Sequence, residues 1–180
     1  MLWGKGVVSI FGIFDVNIRE QQTFNELDVE TREEELRLHS YFESRGYEIV
    51  DKRDCKDSQS KDIDFEIRLG EQLLSIEVKA DKQMYKTGNI MVEISHNRPY
   101  KGRTEGWFKK CEADIICYSD VVMKKGYMLH WKKMKDKLLG EFKIIGFDNP
   151  HDIGTRTFGF LIPVEEAREH GFIIEEYTFQ

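Results

Sequence analysis

The segment DIDFEIRLGEQLLSIEVKAD, residues 62–81, decides the fold. Apolar and polar residues alternate up to Leu69, Gly70 and Glu71 interrupt the pattern, and the alternation resumes from Leu74. A period of two is typical of strands, and a short break that contains glycine is typical of a β-hairpin. The segment therefore predicts two antiparallel strands joined by a two-residue turn.

This turn determines which side chains meet across the hairpin. Asp64 falls opposite Glu77 on one face of the sheet, and Lys79 points to the same face two residues further on. Two carboxylates directly opposite repel each other, so we expect a compensating cation. The oxygen ligands, among them the backbone carbonyl of Val78, favour Mg²⁺ or Mn²⁺ over zinc, and the histidines show no ligand spacing. An exposed strand face with ordinary mixed charges is the alternative explanation.

At these residues the chain resembles the restriction-endonuclease-like superfamily, whose signature is PD-(D/E)XK, and within it the Holliday-junction resolvases. Asp64, Glu77 and Lys79 occupy the aspartate, acidic and lysine positions of the matching run IDFEIRLGEQLLSIEVK. Ile63 stands where the family usually has proline. Whether Asp62 or Asp64 binds the metal is therefore open, and the register of the turn favours Asp64.

A helix before the hairpin contributes one more glutamate in this superfamily. Helical periodicity and a capping residue, Asp28 or Thr31, predict such a helix up to Arg45. Glu35 fits the spacing of the family, whereas periodicity alone gives Glu34 the more central position. The resemblance favours Glu35, although acids in a first helical turn are also stabilised by the helix dipole alone.

The whole chain, residues 1–180, is predicted to form a single nuclease-like domain of the α/β class. Its core, about residues 28–120, has the order helix, strand, hairpin, helix, strand. In the superfamily this is an αβββαβ core with a mixed central sheet flanked by helices. A buried strand over residues 7–16 precedes the core, and residues 121–180 are expected to add further strands and helices.

Composition narrows the functional class. The net charge of −6 argues against a protein that coats nucleic acid through bulk positive charge. Three cysteines without a CxxC pair indicate free thiols in a reducing compartment, which fits a cytoplasmic protein. No apolar run reaches membrane-spanning length, and no phosphate-binding glycine loop or serine or cysteine nucleophile motif is present.

The predicted DNA contacts lie in a basic stretch in the middle of the chain. Residues 51–61 are expected to form a polar loop, residues 96–103 a basic loop and residues 104–113 a short helix. Arginine and lysine beside an aromatic residue can bind phosphates and stack on an unpaired base. The expected DNA-binding residues are Lys82, Lys86, Asn89, Arg98, Lys101 and Arg103.

Small phage-borne nucleases of the superfamily are similar to this chain in a further run. In that pattern an acid follows the lysine of the signature, a TGN turn comes next, and a glutamate lies on the following strand. Asp81, Asn89 and Glu93 match these positions. The resemblance implies that they order the loop or the surroundings of the metal.

The resemblance implies a metal-dependent deoxyribonuclease that leaves a 3′-hydroxyl and a 5′-phosphate. Glu35, Asp64, Glu77 and the Val78 carbonyl would hold Mg²⁺ or Mn²⁺, and Lys79 would position the attacking water. Within this class we favour an endonuclease for branched DNA, and a homodimer is compatible with that substrate. An exonuclease or a restriction enzyme could carry the same core. A non-catalytic DNA binder and an acidic DNA mimic are the alternatives outside it.

Overall fold

A computed structural model describes residues 29–99, 101–148 and 154–179, which form ten strands and six helices. In chain order the strands are β1 (Glu48–Asp51), β2 (Phe65–Leu69), β3 (Gln72–Asp81), β4 (Asn89–Arg98), β5 (Gly102–Glu105), β6 (Ile115–Asp120), β7 (Lys125–His130), β8 (Ile145–Asp148), β9 (Arg156–Pro163) and β10 (Ile173–Thr178). The helices are α1 (residues 29–44), α2 (Lys56–Ser60), α3 (Met84–Thr87), α4 (Trp107–Lys110), α5 (Trp131–Glu141) and α6 (Val164–Glu169).

The central sheet has six strands in the order β1-β2-β3-β6-β7-β10. β1, β2 and β3 form an antiparallel meander, β3 pairs with β6 in parallel, and β6, β7 and β10 are antiparallel. The sheet is therefore mixed and flanked by helices, which confirms the predicted fold class. Counting α1 before β1 and α4 between β3 and β6, the element order follows the predicted αβββαβ core.

Helix α1 covers one face of the hairpin. Leu38 and Phe42, four residues apart on α1, are buried against Phe65 of β2 and Val78 of β3. Residues four apart lie on the same side of a helix. The apolar side of α1 therefore packs against the hairpin, as the amphipathic pattern predicts. Gly46 follows the helix with a φ of +81°, a conformation that glycine adopts without strain.

A second, antiparallel sheet has the order β5-β4-β9-β8. Ile90 and Val92 of β4 are fully buried in a core shared with Ile116 and Leu129 of the central sheet. The extra strand predicted after the hairpin is β4. It belongs to the second sheet and is not inserted between strands of the central sheet. No helix in the described part of the chain has both the length and the apolar character needed to cross a membrane.

Several local predictions are wrong. Residues 96–103 do not form a loop, because β4 continues through Arg98 and pairs with β5. Polar side chains are compatible with an edge strand whose backbone is paired on one side. The helix predicted over residues 104–113 is reduced to α4, and the loop over residues 51–61 contains α2. Thr31 lies inside α1 and does not cap it, and the predicted strand at residues 7–16 falls outside the described residues.

The Tyr118 hydroxyl joins the two sheets. Tyr118 lies on β6, donates to Asp81 Oδ2 at 2.5 Å and accepts the backbone N–H of Met91 on β4 at 3.0 Å. Its side chain is only 4% exposed, so neither partner is replaced easily by water. This one hydroxyl therefore fixes the start of β4 against the end of β3.

Tyr118→Phe is expected to lower the free energy of unfolding by about 1–3 kcal/mol, because it leaves a carboxylate oxygen and an amide without their shared partner. Urea denaturation followed by circular dichroism measures the change. Tyr85→Phe, at a side chain that is 44% exposed, is the matched control and should change little. Equal stability of Tyr118→Phe and wild type would show that the hydroxyl does not join the sheets.

Candidate active site

The register of the hairpin places its acidic residues together. Phe65 pairs with Ile76, and the Asp64 N–H donates to the Ile76 carbonyl at 2.9 Å, so Asp64 lies opposite Glu77 as predicted. The Asp64 carboxylate turns across the end of β2 and accepts the Val78 N–H at 2.8 Å. The tight turn at residues 70–71 thus determines geometry about 20 Å away, since strands rise about 3.3 Å per residue.

Strand β3 is longer than its neighbour, and this creates an open edge. β2 begins at Phe65, whereas β3 continues to Asp81 with only β6 beside it. The N–H and C=O of one strand residue point to the same side, so the Val78 carbonyl points to the side where its N–H meets Asp64. β2 begins opposite Ile76 and does not extend as far as Val78. In the described structure the Val78 carbonyl is therefore not paired with β2 and is available to a ligand.

Glu77 and Lys79 form a close ion pair on the face of β3 opposite α1. The Lys79 ammonium contacts Glu77 Oε1, and it also lies 5.4 Å from the centre of the Trp107 ring. Glu77 is 5% exposed, and its second oxygen, Oε2, is buried without a hydrogen-bond partner among the described residues, as are single oxygens of Glu34 and Asp120. An unpaired buried carboxylate oxygen is costly, and beside Asp64 the Glu77 oxygen is suited to bind a cation.

The ionisation of these groups is strongly perturbed. Burial raises the pKa of Glu77 despite the contact with Lys79, and the charge of Asp64 raises it further. Burial likewise raises the pKa of Asp64, with a contribution from Glu35. For Lys79, burial alone would lower the pKa, but the surrounding carboxylates outweigh it and the net change is upward. Lys79 is therefore a protonated ammonium at neutral pH. Its single positive charge does not offset the carboxylates of both Asp64 and Glu77.

Of the two helical candidates, Glu35 is the one that is electrostatically coupled to this cluster. Burial raises its pKa, the Arg53 guanidinium opposes that rise, and the charge of Glu77 adds to it. Arg53 Nη1 lies 3.6 Å from Glu35 Oε2. The side chain of α1 that the resemblance favours is thus the one whose charge acts on Asp64 and Glu77.

Glu34 lies on the other side of α1. It is fully buried, accepts a hydrogen bond from Arg37 at 2.9 Å, and acts electrostatically on Tyr177 and Cys117 in the core beneath α1. Its Oε1 has no hydrogen-bond partner. Glu34 is therefore part of the core between α1 and the sheet, and periodicity favoured it because it is the more buried of the two.

Asp62 and Asp64 differ in their surroundings. Asp62 pairs with Lys110 at 2.9 Å and has a positive φ of 49°, which turns the chain before the strand begins. Its charge still raises the pKa of Glu77. Asp64 is the carboxylate beside Val78 and lacks such an ion pair in the described structure, so it is the better candidate ligand.

The cluster fits a hard divalent cation with few protein ligands. In the described ranges, no group of three or more His, Cys, Asp and Glu side chains is placed to hold a metal ion. Asp64, Glu77 and the Val78 carbonyl remain, with Glu35 acting through its charge. Mg²⁺ commonly keeps several waters and takes one or two carboxylates, so this set is sufficient for it.

Lys79 opens onto a cleft of about 530 Å³ that is lined by the end of β3, by α1 and by the second sheet. Asp81, Asn89 and Glu93, the three residues that match the phage-borne nucleases, all line it. Asp81 binds the N–H of Gln83 at 2.5 Å as well as Tyr118, so it orders the turn after β3. This arrangement agrees with the supporting role that the resemblance implies for Asp81.

The predicted DNA-binding residues fall into two groups. Lys82 and Asn89 line the cleft with Lys79, and Lys82 pairs with Glu30 at 2.5 Å. The others are not part of the cleft lining. They are Lys86 at the end of α3, Arg98 at the end of β4, Lys101 in the following turn and Arg103 on β5.

Three residues near the cluster were not predicted from the sequence. Arg53 contacts Glu35, Trp107 lies beside the Lys79 ammonium, and Lys110 pairs with Asp62. Arg53 lies in a stretch predicted as a polar loop, and Trp107 and Lys110 lie in the helix predicted over residues 104–113. No local pattern indicates these contacts, because they join residues that are distant in sequence.

The metal-free protein should lose stability as the pH rises from the acidic range towards neutrality. The pKa values of Asp64 and Glu77 are raised in the folded state, so above the unfolded pKa the folded state binds more protons, and deprotonation then favours unfolding. Glu77→Gln should therefore melt a few degrees higher than wild type in EDTA near neutral pH, and the difference should shrink in acid.

Differential scanning fluorimetry across a pH series measures this effect. Glu71→Gln, at an exposed position in the hairpin turn, is the control and should follow wild type. A lower melting temperature for Glu77→Gln at neutral pH would show that the Glu77 carboxylate stabilises the metal-free fold.

No family model matches this chain, and no curated protein matches it. Among solved structures, it is similar to a bacterial homing endonuclease, I-Ssp6803I, with 12% sequence identity and a TM-score of 0.46. The similarity covers 61% of this chain and 72% of the homing endonuclease. Likeness at this level does not assign a function to the chain, which has to be inferred from its own residues.

Proposed function

We propose that the protein is a divalent-metal-dependent DNA endonuclease of the PD-(D/E)XK type, which hydrolyses phosphodiester bonds. One observation carries the proposal: Asp64, Glu77 and Lys79 converge at the open edge of β3, where Glu77 keeps a buried oxygen without a partner among the described residues. A purely structural role would favour neutral or apolar residues here, because neighbouring buried acids destabilise a fold unless a cation offsets their charge.

The metal would be held by Asp64, Glu77 and the Val78 carbonyl, together with water. When bound, Mg²⁺ or Mn²⁺ supplies Lewis-acid stabilisation of a phosphate oxygen and lowers the pKa of a coordinated water. Glu35 adds negative charge from α1, and Arg53 limits that charge through its contact with Glu35.

Lys79 acts as a hydrogen-bond donor and a positive charge. In the metal-free protein the carboxylates around it raise its pKa, so it is a protonated ammonium at neutral pH. Its ammonium can orient the attacking water and stabilise the charge that grows on the phosphorus oxygens in the transition state. The contacts with Glu77 and Trp107 hold it in place before the substrate arrives.

The hairpin of β4 and β5 supplies the phosphate contacts away from the cluster. Arg98 ends β4, Lys101 lies in the turn and Arg103 lies on β5, so these cations stand at the edge of the four-stranded sheet. Cations on such an element increase affinity for any sequence and make binding dependent on salt. In a chain with a net charge of −6, these local cations offset the general repulsion of DNA.

Branched DNA is the substrate that we propose within this class. A four-way junction requires two cuts, and a homodimer would supply two equivalent sites related by its symmetry. Supercoiled plasmid, single-stranded DNA and a four-way junction should each be incubated with Mg²⁺, Mn²⁺ or EDTA. We expect cleavage with either metal, none with EDTA, and the highest rate on the junction.

A non-catalytic DNA binder is the second candidate. The absence, in the described residues, of three metal-binding side chains arranged together favours it. In the same experiment a binder would shift the DNA in a gel without cutting any substrate in either metal. Cleavage that persists in EDTA would contradict both candidates, since neither allows hydrolysis without the cation.

A further inference from the structure

The cleft beside Lys79 has an apolar wall on a face of the second sheet that points away from the core. Ile90 and Val92 of β4 are fully buried on one face, so Met91, which lies between them, points to the other. Met91 is paired with Leu161 of β9, whose side chain is 39% exposed. Where Met91 pairs with Leu161, both faces of the second sheet therefore carry apolar side chains. A face in contact with solvent would usually carry polar ones.

Aromatic residues extend this wall and face it. Phe147 of β8 lines the cleft on the side of Met91 and Leu161, and Trp107 lies beside Lys79. These four apolar side chains are only partly covered by the protein. A volume of about 530 Å³ is in the usual range for small-molecule sites, and half-exposed methionine and aromatic side chains are typical of such sites.

The acids that line the cleft are already paired within the protein. Lys82 balances the charge of Glu30, whereas Asp81 and Glu93 keep negative charge and leave the Lys79 end of the cleft as the place for an anionic group. The pairs are Glu30 with Lys82 (2.5 Å), Glu93 with His96 (3.5 Å) and Asp81 with Tyr118 (2.5 Å).

We infer that the cleft holds one unpaired base of a nucleic-acid strand whose phosphate lies at Lys79. This inference rests on the proposed function, because that function places the phosphate at the Lys79 end. A planar ring with an attached phosphate satisfies both the apolar wall and the adjacent ammonium. The amide side chains of Gln83 and Asn89, also in the lining, offer donors and acceptors to the edge of the base.

This occupant defines the substrate more narrowly. A base stacked inside a duplex cannot present its faces to the wall, so the nucleotide must be single-stranded, at a junction, or extruded from the helix. Stacking and apolar contact tolerate any base, which makes the cleft selective for unpaired structure rather than for sequence.

The test is a competition measurement in EDTA, which prevents metal-dependent cleavage. A short fluorescein-labelled single strand is bound, and three unlabelled competitors of equal length are compared by anisotropy: the same strand, a strand of abasic sites, and the duplex. The single strand should compete about tenfold better than the abasic strand and better than the duplex. Equal competition by the normal and abasic strands would overturn the inference, as would preference for the duplex.

Leu161→Ser should reduce affinity for the normal strand about fivefold to tenfold and leave affinity for the abasic strand unchanged. Ile174→Ser is the matched control, since Ile174 is an aliphatic residue on β10 that is 53% exposed and outside the cleft. Wild-type affinity in Leu161→Ser, or an equal loss in Ile174→Ser, would overturn the inference.

Binding and cleavage distinguish the two proposals. Preference for unpaired bases in EDTA without cleavage in Mg²⁺ or Mn²⁺ would support the cleft and reject the nuclease. Cleavage in Mg²⁺ or Mn²⁺ together with equal binding of the normal and abasic strands would support the nuclease and reject the base-binding cleft. No binding of any strand would reject the cleft.

Discussion

Lys79→Met is expected to reduce DNA cleavage by about 100-fold to 1,000-fold or more in Mg²⁺. Loss of one preorganised donor to a developing oxyanion has an effect of this size, and Lys79 is the only lysine in contact with Glu77 in the described structure. The substitution removes the donor while keeping the length of the aliphatic chain. Single-turnover cleavage of a labelled junction measures the chemical step.

Two further variants make this result interpretable. Lys143→Met removes an exposed lysine outside the cluster and should cleave at the wild-type rate. Lys79→Arg keeps the charge but changes the geometry, so partial activity is expected. Thermal melting checks that each variant is folded, because Lys79→Met leaves Glu77 without its ion pair. Folded Lys79→Met with wild-type activity would mean that Lys79 has no part in catalysis.

Asp64→Asn is expected to lose more than about 100-fold in cleavage, whereas Asp62→Asn should lose less than about tenfold. Direct ligands matter more than the residues around them, whose loss typically costs 10–100-fold. Asp64 accepts the Val78 N–H next to the carbonyl that would also bind metal, and Asp62 is already paired with Lys110.

The rates should be measured over a range of Mg²⁺ concentrations. A weakened ligand set shifts the concentration needed for half-maximal activity, so Asp64→Asn should regain part of its rate at high Mg²⁺. Asp62→Asn should keep the wild-type dependence. The reverse order of the two variants would assign the metal to Asp62 and contradict the register argument.

The hairpin could be predicted because its information is local. Alternation in β2 and β3, together with Gly70 at a φ of +64°, determines which residues face each other. The site residues Asp64, Glu77 and Lys79 follow from that register without any long-range contact. This is why the centre of the candidate site could be found in the sequence.

The second sheet could not be found in the same way. β4 pairs with β9, which follows more than fifty residues later, and such a pairing has no local signal. Residues 96–103 have the polar composition of a loop, and only the pairing of β4 with β5 shows that most of them form strands. The cleft depends on Met91 and Leu161 meeting across β4 and β9, so it also became visible only in three dimensions.

The assignment of Glu35 shows the limit of periodicity. A hydrophobic stripe identifies the buried side of a helix, and Glu34 lies nearer its centre. Glu35 lies at the rim of the stripe and is only partly buried. Its electrostatic coupling to Asp64 and Glu77 comes from the three-dimensional arrangement of α1 and the hairpin.

The central claim is that the open edge of β3 binds a hard divalent cation. Crystals soaked in Mn²⁺ and measured at the manganese absorption edge test it most directly. We predict an anomalous peak between the carboxylates of Asp64 and Glu77, in contact with the Val78 carbonyl, and its loss in Glu77→Gln. Crystals that hold Mn²⁺ elsewhere but show no peak between these carboxylates would contradict the claim.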